Sequence, residues 1–325
     1  VATSGSTGAP LRIYLGRYEE RLQRVAAWRI LFEHGFRWRD RTLEIRQTRG
    51  RNFIVQRFGV APKTWLSILD EPSGWARELG SGGYQAVIAS ASTLEALAEA
   101  VSANGFDVPR PRIVISDSET LTPTTRARIG AALGTEPIDV YGLVELSNFA
   151  WECERRKGFH VSADSHLVEV ESDGYGGPGV LIATELRMRT MPVIRYRTGD
   201  LAEAPGPPCP CGRTLPLLPR IYGRAVDSIT LPDGKRLLWP FFHEILAALP
   251  GIGRWRVVQE TPDSLRVELT AEGRAPSEEC VAAALRGGVG RDVSIRVVHR
   301  TVMDDGNAGK LRLIVPCPQR PGRPS

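Results

Sequence analysis

The chain has little cysteine, even less lysine and no long apolar run. Five cysteines in 325 residues, an odd number, exclude the dense disulfide framework of a small secreted domain and fit a reducing compartment. No stretch approaches the roughly 18–20 apolar residues that a membrane-spanning helix needs. No basic, then apolar, then small-residue start is visible, so the expectation is no signal peptide, a cytoplasmic setting and no membrane partner. Lysine is confined to Lys63, Lys157, Lys235 and Lys310; the other 38 of the 42 basic residues are arginine. Against 37 acidic residues the net charge is +5. No predicted helix carries a dense basic stripe and no basic motif is interleaved with aromatics, so nucleic acid is not an expected partner.

What remains is ordinary globular composition, 42% hydrophobic and 24% charged, in a chain long enough for two domains and a core that needs no disulfides. Helical periodicity is read over 18–32, and residues 11–60 mix helical and strand-like patterns. Buried strands are read at 86–90 (AVIAS), 112–116 (RIVIS) and 138–141. Helices follow at 92–102 and 122–133, the latter opened by Thr122-Pro123 as cap and first helical residue. Strands alternating with helices at this spacing predict an α/β region with a largely parallel sheet.

After residue 160 short strands at 166–170, 179–185 and 193–196, separated by Gly/Pro turns, predict an antiparallel section. From about residue 223 the pattern restarts, with helices at 241–249 and 277–285 and strands at 255–259, 265–270 and 294–298. The expected organisation is a large α/β domain over 1–223, a small α+β domain over 224–316 and a disordered tail over 317–325.

Several short segments carry chemistry. Thr3, Ser4, Gly5, Ser6, Thr7 and Gly8 put two glycines and four hydroxyls into six residues. Inward-turned N–H groups and hydroxyls of this kind wrap phosphates, although a Gly/Ser linker has a similar composition. Tyr141-Gly142-Leu-Val-Glu145 follows the strand at 138–141. Arg195-Tyr-Arg-Thr-Gly-Asp200-Leu follows the strand read at 193–196. Gly223-Arg224 with Asp227 marks the domain boundary, and Gly306-Asn-Ala-Gly-Lys310 lies near the C-terminus.

Cys153 and His160, with Cys209 and Cys211, can supply a Cys₃His tetrahedral set of the structural zinc type; the alternative is two unrelated thiol pairs in loops. Cys280 reads as buried apolar filler on a helix, and Cys317 carries no assignment. His34, His166, His243 and His299 have no partner that sequence identifies.

In this order the segments resemble the adenylate-forming superfamily of acyl- and aryl-CoA ligases. Ser118-Glu119 before the Thr-Pro helix, Glu152-Cys153 with His160, Met191-Pro-Val-Ile-Arg-Tyr-Arg197 and Cys209-Pro-Cys-Gly-Arg213 point to its phenylacetate–CoA ligase-like branch. The resemblance implies ATP- and Mg²⁺-dependent activation of a carboxylic acid, aryl and phenylacetate-like in type, to an acyl-adenylate, then a thioester with coenzyme A. It assigns the phosphates to residues 3–8, Mg²⁺ to Glu145, the ribose hydroxyls to Asp200 and the ribose–phosphate side to Arg224. Tyr141 and Gly142 would lie against adenine, with Ser118, Glu119 and Asp139 framing the purine. Lys310 would stabilise charge at the α-phosphate, carried by a mobile small domain. Cysteines at the four-donor positions also occur in this branch. Phe149, Trp151 and residues 142–148 are candidates for the acyl pocket wall, with core packing as the alternative.

Three departures stand out. Family members carry further sequence before the phosphate loop, so the chain reads as N-terminally truncated. Ala9 stands where a basic residue is common. The hinge position falls on Val226, with Asp227 one residue beyond. Two alternatives remain open: adenylation with another acceptor (a carrier protein, an amine or a deazaflavin), and a non-catalytic nucleotide-binding remnant. A monomer or homodimer is expected.

Overall fold

The computed structural model describes residues 12–47, 50, 52, 54–105, 108–172, 178–225, 228–271, 273–303 and 313–317. Residues 3–10, 226, 227, 306, 310 and the tail beyond 317 therefore lie outside the described residues. The chain divides into two compact units. The first runs to Ile221; the second begins at Tyr222 and also takes in Gly199–Leu201. Among the described residues no helix is long and apolar enough to cross a membrane.

The first unit begins with α1 (Arg17–Glu33), β1 (Thr42–Arg46), α2 (Ile54–Arg57), β2 (Lys63–Ser67) and α3 (Pro72–Gly82). Then come β3 (Ala86–Ser90), α4 (Ala91–Asn104), β4 (Ile113–Asp117), α5 (Pro123–Leu133), β5 (Ile138–Leu143), β6 (Ser147–Glu152) and β7 (Phe159–Val161). A further run contains β8 (His166–Glu171), β9 (Gly179–Glu185), β10 (Tyr196–Ala202) and β11 (Leu217–Leu218); β12 (Ile221–Arg224) falls almost entirely in the second unit. An eight-stranded sheet has the order β11-β7-β6-β5-β4-β3-β1-β2. Its β2-β1-β3-β4-β5 part is parallel, and β6, β7 and β11 add on antiparallel.

The short apolar runs form strands because both faces of the parallel part are covered. Leu43, Ile45, Val87 and Val114 pack with Leu79 of α3, Leu94 of α4 and Ile129 of α5. Alternate residues Ala86, Ile88, Ile113 and Ile115 join Ile30 and Leu31 of α1 in a separate cluster. Helix α5 starts where its sequence predicts. Thr122 accepts a hydrogen bond from the Thr125 N–H at 3.2 Å and Pro123 fills the first turn.

A second sheet of order β12-β10-β9-β8 contains the expected antiparallel section, with His166 opposite Glu185. One expectation is corrected here. The strand read at 193–196 begins only at Tyr196 and runs to Ala202, so the Arg-Tyr-Arg-Thr-Gly-Asp-Leu segment is mostly strand rather than the turn after one. Arg195 has a left-handed φ of 47°, which regular strand backbone does not tolerate, and pairing restarts beyond it.

The second unit holds β13 (Ser228–Thr230), β14 (Arg236–Leu238), α6 (Trp239–Ala247), β15 (Ile252–Thr261), β16 (Ser264–Ala271), α7 (Glu278–Val289), β17 (Ser294–Arg300) and β18 (Ile314–Val315). Its main sheet, order β17-β16-β15-β18, packs one face on Phe242 and Leu246 of α6 and Val281 and Leu285 of α7. The other face centres on buried Glu268, which accepts hydrogen bonds from Arg256, Arg266 and Arg300. Cys280 is a second correction. It is exposed, because α7 buries the stripe Val281, Leu285 and Val289, and residue 280 falls off it.

His166, which lacked a sequence-visible partner, is packed in the first unit. Its ring stacks on Phe149 at 4.7 Å, Nδ1 meets Ser165 Oγ at 2.8 Å, and Nε2–H donates to the Leu146 carbonyl at 2.9 Å. Burial pushes its pKa down to about 4 from 6.5, so the folded protein keeps it neutral while the unfolded chain takes up the proton. Its contribution to stability should be complete above pH 6.5 and fall progressively down to about pH 4. Urea unfolding of His166→Gln across that window should show a shallower loss with acid than wild type. Leu94→Ala, at a fully buried position, should cost about 2–5 kcal/mol in the same assay.

Candidate functional site

Of the sequence-predicted residues of the first unit, Ser118 and Glu119 follow the carboxyl end of parallel strand β4, and Tyr141, Gly142 and Glu145 lie at the end of β5 and in the turn after it. Ligands of open α/β sheets bind at such ends. Ser118 directly follows β4 and has a left-handed φ of 68°; its hydroxyl donates to Asp117 Oδ1 at 3.2 Å. Glu119 accepts from the Ser92 N–H at 2.8 Å and from Ser92 Oγ at 3.0 Å. The carboxylate thus caps the start of α4, whose own N-cap residue Ser90 makes no side-chain cap bond.

Asp139, inside β5, is buried beside Glu152 of β6. Desolvation first, then the neighbouring carboxylate, pushes its pKa well above the ordinary range, which disfavours its charged form. Glu152 itself is anchored by Arg126 at 2.8 Å and accepts from the Asp139 N–H at 2.9 Å.

Tyr141, Gly142 and Glu145 sit where β5 turns into β6. Tyr141 packs edge-on against Phe149 at 5.4 Å. The pairing slips by one residue between Tyr141 and Gly142, bringing Gly142 against the Ser147 carbonyl and Asn148, where a Cβ would collide with both. Glu145 is buried, and Tyr196 Oη donates to its Oε1 at 2.8 Å. Two sequence motifs about fifty residues apart therefore meet at one carboxylate. A single carboxylate beside phosphate oxygens is the donor set that suits Mg²⁺.

Phe149 and Trp151 are completely buried: they are core residues and line no pocket. Residues 146–148 instead border a narrow surface recess whose lining mixes apolar Leu22, Ala26 and Met188 with polar Gln23, Glu185 and Arg187.

In the second unit Asp200 is buried and Arg224 Nε lies 3.3 Å from its Oδ1. Gly199, at φ 79°, lets the strand twist here, and a Cβ would approach the Arg224 guanidinium. The Ala225 N–H closes the pair onto the Gly199 carbonyl at 2.8 Å. Residues 3–8 and Lys310 lie outside the described residues.

The four zinc-candidate side chains come together in the first unit. Their donor atoms all lie within 4.8 Å of one another. Cys153 and Cys209 Sγ are 3.7 Å apart, and Cys211 Sγ is 3.4 Å from His160 Nε2. A tetrahedral zinc with Zn–S of about 2.3 Å and Zn–N of about 2.0–2.1 Å has edges of about 3.8 and 3.5 Å, so the set fits the ion. The Arg155 N–H points at Cys153 Sγ at 3.4 Å, as amides do toward metal-bound thiolates. His160 Nδ1 is buried beside the Leu215 backbone without a well-formed hydrogen bond. Desolvation lifts the Cys153 thiol to about 11, whereas hydrogen bonds led by the Arg213 backbone and side chain outweigh burial and bring Cys211 to about 7.

Sequence reasoning missed Arg46, Asp117, Arg126 and Tyr196. Tyr196 lay within a quoted motif. Asp117 immediately precedes one. Arg46 and Arg126 lie in no recognisable motif, and the carboxylates they clamp, Asp117 and Glu152, are distant in the chain.

No family model matches the chain. A phenylacetate–coenzyme A ligase of Thermus thermophilus is 30% identical over 232 residues, which cover 61% of this chain and 52% of the relative. The enzyme of the same name from Aromatoleum evansii is 27% identical over 229 residues, 63% of this chain and 51% of the relative. The chain thus spans about half the length of the curated relatives it matches. A 2-hydroxyisobutyryl-CoA ligase, solved in the postadenylation state with an acyl-AMP, superposes with a TM-score of 0.75 at 20% identity. That match covers 95% of this chain and 72% of the other. An anthranilate CoA ligase with anthranoyl-AMP gives 0.72 at 15% identity, over 96% and 64% of the two chains.

The contact at Gly142 yields a prediction. Gly142→Ala should force the β5–β6 turn apart and cost about 1–3 kcal/mol, measured by chemical unfolding.

Proposed function

We propose that this chain, which has the fold of the adenylate-forming ligases and is homologous to phenylacetate–CoA ligases, activates a carboxylic acid with ATP and passes it to coenzyme A. The observation that carries the reading is the Tyr196–Glu145 hydrogen bond at the end of β5. It fixes one buried carboxylate where the β5 turn and the β10 motif converge. The relatives are named as CoA ligases, which favours coenzyme A over a carrier protein, an amine or a deazaflavin as acceptor. The acid is proposed to be aryl and phenylacetate-like.

In the first half-reaction a carboxylate oxygen attacks the α-phosphorus of ATP and pyrophosphate leaves. Two anions must approach, so the site has to offset charge. Residues 3–8 would receive the β- and γ-phosphates through N–H groups and hydroxyls. Glu145 would hold Mg²⁺, which when bound neutralises phosphate charge. Asp200 would accept hydrogen bonds from the ribose hydroxyls, with Arg224 beside it at the phosphate side. The Ser118–Glu119 turn, Asp139, Tyr141 and Gly142 would bound the purine. Lys310 would stabilise the charge that develops at the α-phosphate.

In the second half-reaction the thiolate sulfur of coenzyme A attacks the acyl carbon, the C–O bond to AMP breaks, and the thiol proton goes to solvent. Residues 224–316 would act as the mobile domain and 317–325 as a disordered tail. The protein would work in the cytoplasm as a monomer or homodimer.

Cys153, His160, Cys209 and Cys211 would hold a structural zinc. It closes the loops after β6 and before β11, and has no part in the chemistry.

ATP–pyrophosphate exchange against a panel of aryl and alkyl acids tests the adenylation step without knowledge of the acceptor. Exchange should depend on an aryl acid and fall by about 10²–10³ in Lys310→Ala. Silence with every acid in protein that still binds AMP would favour a non-catalytic nucleotide-binding module instead. Metal analysis should find about one zinc per chain. Cys211→Ser should lose that zinc and melt at lower temperature; metal-free protein of unchanged stability would remove the zinc assignment.

A further inference from the structure

The strained residue of the candidate purine turn is held from a distant strand. Ser118 keeps a left-handed φ of 68°, a conformation that costs a non-glycine residue free energy and persists only where its surroundings impose it. Its hydroxyl donates to Asp117. Asp117 in turn is clamped by a fork-on-fork pair: Arg46 Nη1 and Nη2 lie 2.5 and 2.6 Å from its two carboxylate oxygens.

Arg46 is the last residue of β1, and Asp117 the last of β4, 71 positions further along the chain. The sheet order β4-β3-β1 puts the end of β3 between them, so the guanidinium reaches across it. Arg46 is itself fixed. Its Nε donates to Glu44 Oε1 at 2.8 Å, and Lys63 Nζ donates to Glu44 Oε2 at 2.6 Å. On the other side of Ser118, the Glu119 carboxylate is pinned by Ser92. The 117–119 turn is therefore anchored at both ends, in a geometry that an unanchored turn would not keep.

We infer that Arg46 is a positioning residue for the nucleotide: through Asp117 it presets the Ser118 turn that meets the purine, so that ATP binds a surface already formed. This rests on the adenylating reading. Nucleotide affinity then depends on the bidentate clamp rather than on charge alone. Lysine, a point donor, keeps the charge and loses the fork.

The test is calorimetric titration of AMP into the whole protein, with ATP kinetics from pyrophosphate exchange. Arg46→Lys should weaken AMP binding by about tenfold and raise KM for ATP to match, with kcat within about threefold of wild type. Glu44→Gln removes a contact from the same network but leaves the Asp117 clamp. It should lower the melting temperature while AMP affinity stays within about twofold. A folded Arg46→Lys protein that binds AMP as tightly as wild type overturns the inference and leaves the adenylating reading standing. Equal losses of AMP affinity in Arg46→Lys and Glu44→Gln would show a general structural effect and likewise overturn it. Wild-type protein that binds no adenine nucleotide overturns both readings. Should Arg46→Lys fail to fold, Asp117→Asn, which breaks the clamp from the other side, carries the same comparison.

Discussion

A parallel sheet covered on both faces leaves polar groups few places to go. In the β2-β1-β3-β4-β5 sheet, alternate side chains are claimed by α3–α5 on one side and by α1 on the other. Charged side chains along the strands would be buried at a cost of several kcal/mol unless paired. They collect at the ends instead. Arg46, Asp117 and the Ser118 turn all stand at carboxyl termini of strands, where backbone pairing has stopped and side chains can face a ligand. The apolar core thus decides where chemistry can be placed before any catalytic residue is chosen.

The exceptions inside the sheet show the same constraint from the other side. Asp139 and Glu152 are adjacent carboxyls on neighbouring strands, both buried. Arg126 donates to Glu152 through one terminal nitrogen and to the Pro137 carbonyl through the other. Asp139 has no cation of its own in this pair, and burial with the Glu152 carboxylate beside it disfavours its charged form. In the second unit the solution differs: a single buried Glu268 draws three arginines to one sheet face, while the opposite face packs its apolar side chains on α6 and α7.

Much of this organisation is legible in sequence because it is local. Two apolar runs, at 86–90 and 113–117, form strands almost where their composition places them, and the Thr122-Pro123 start of α5 is read directly from cap chemistry. Four metal-type donors stand out because the chain has so few cysteines to distribute. Other features depend on what meets them in space. The delayed start of β10 follows from the backbone angle at Arg195, which no composition encodes. The exposure of Cys280 follows from the phase of α7, which a single position does not reveal. The Arg46–Asp117 pair joins residues with no shared motif, and 37 other arginines compete for attention. The Glu119–Ser92 contacts join residues 27 positions apart and are equally invisible in sequence.

The four-donor cluster also sits against an indole. Trp151 is fully buried, with its ring 5.4 Å from that of His160 and the Arg213 guanidinium 5.4 Å over its face. Light emission from a buried indole is sensitive to nearby charge and to imidazole protonation. Trp151 is one of seven tryptophans, so the part of the emission that reports on the cluster is the part lost when Trp151 is replaced by Phe.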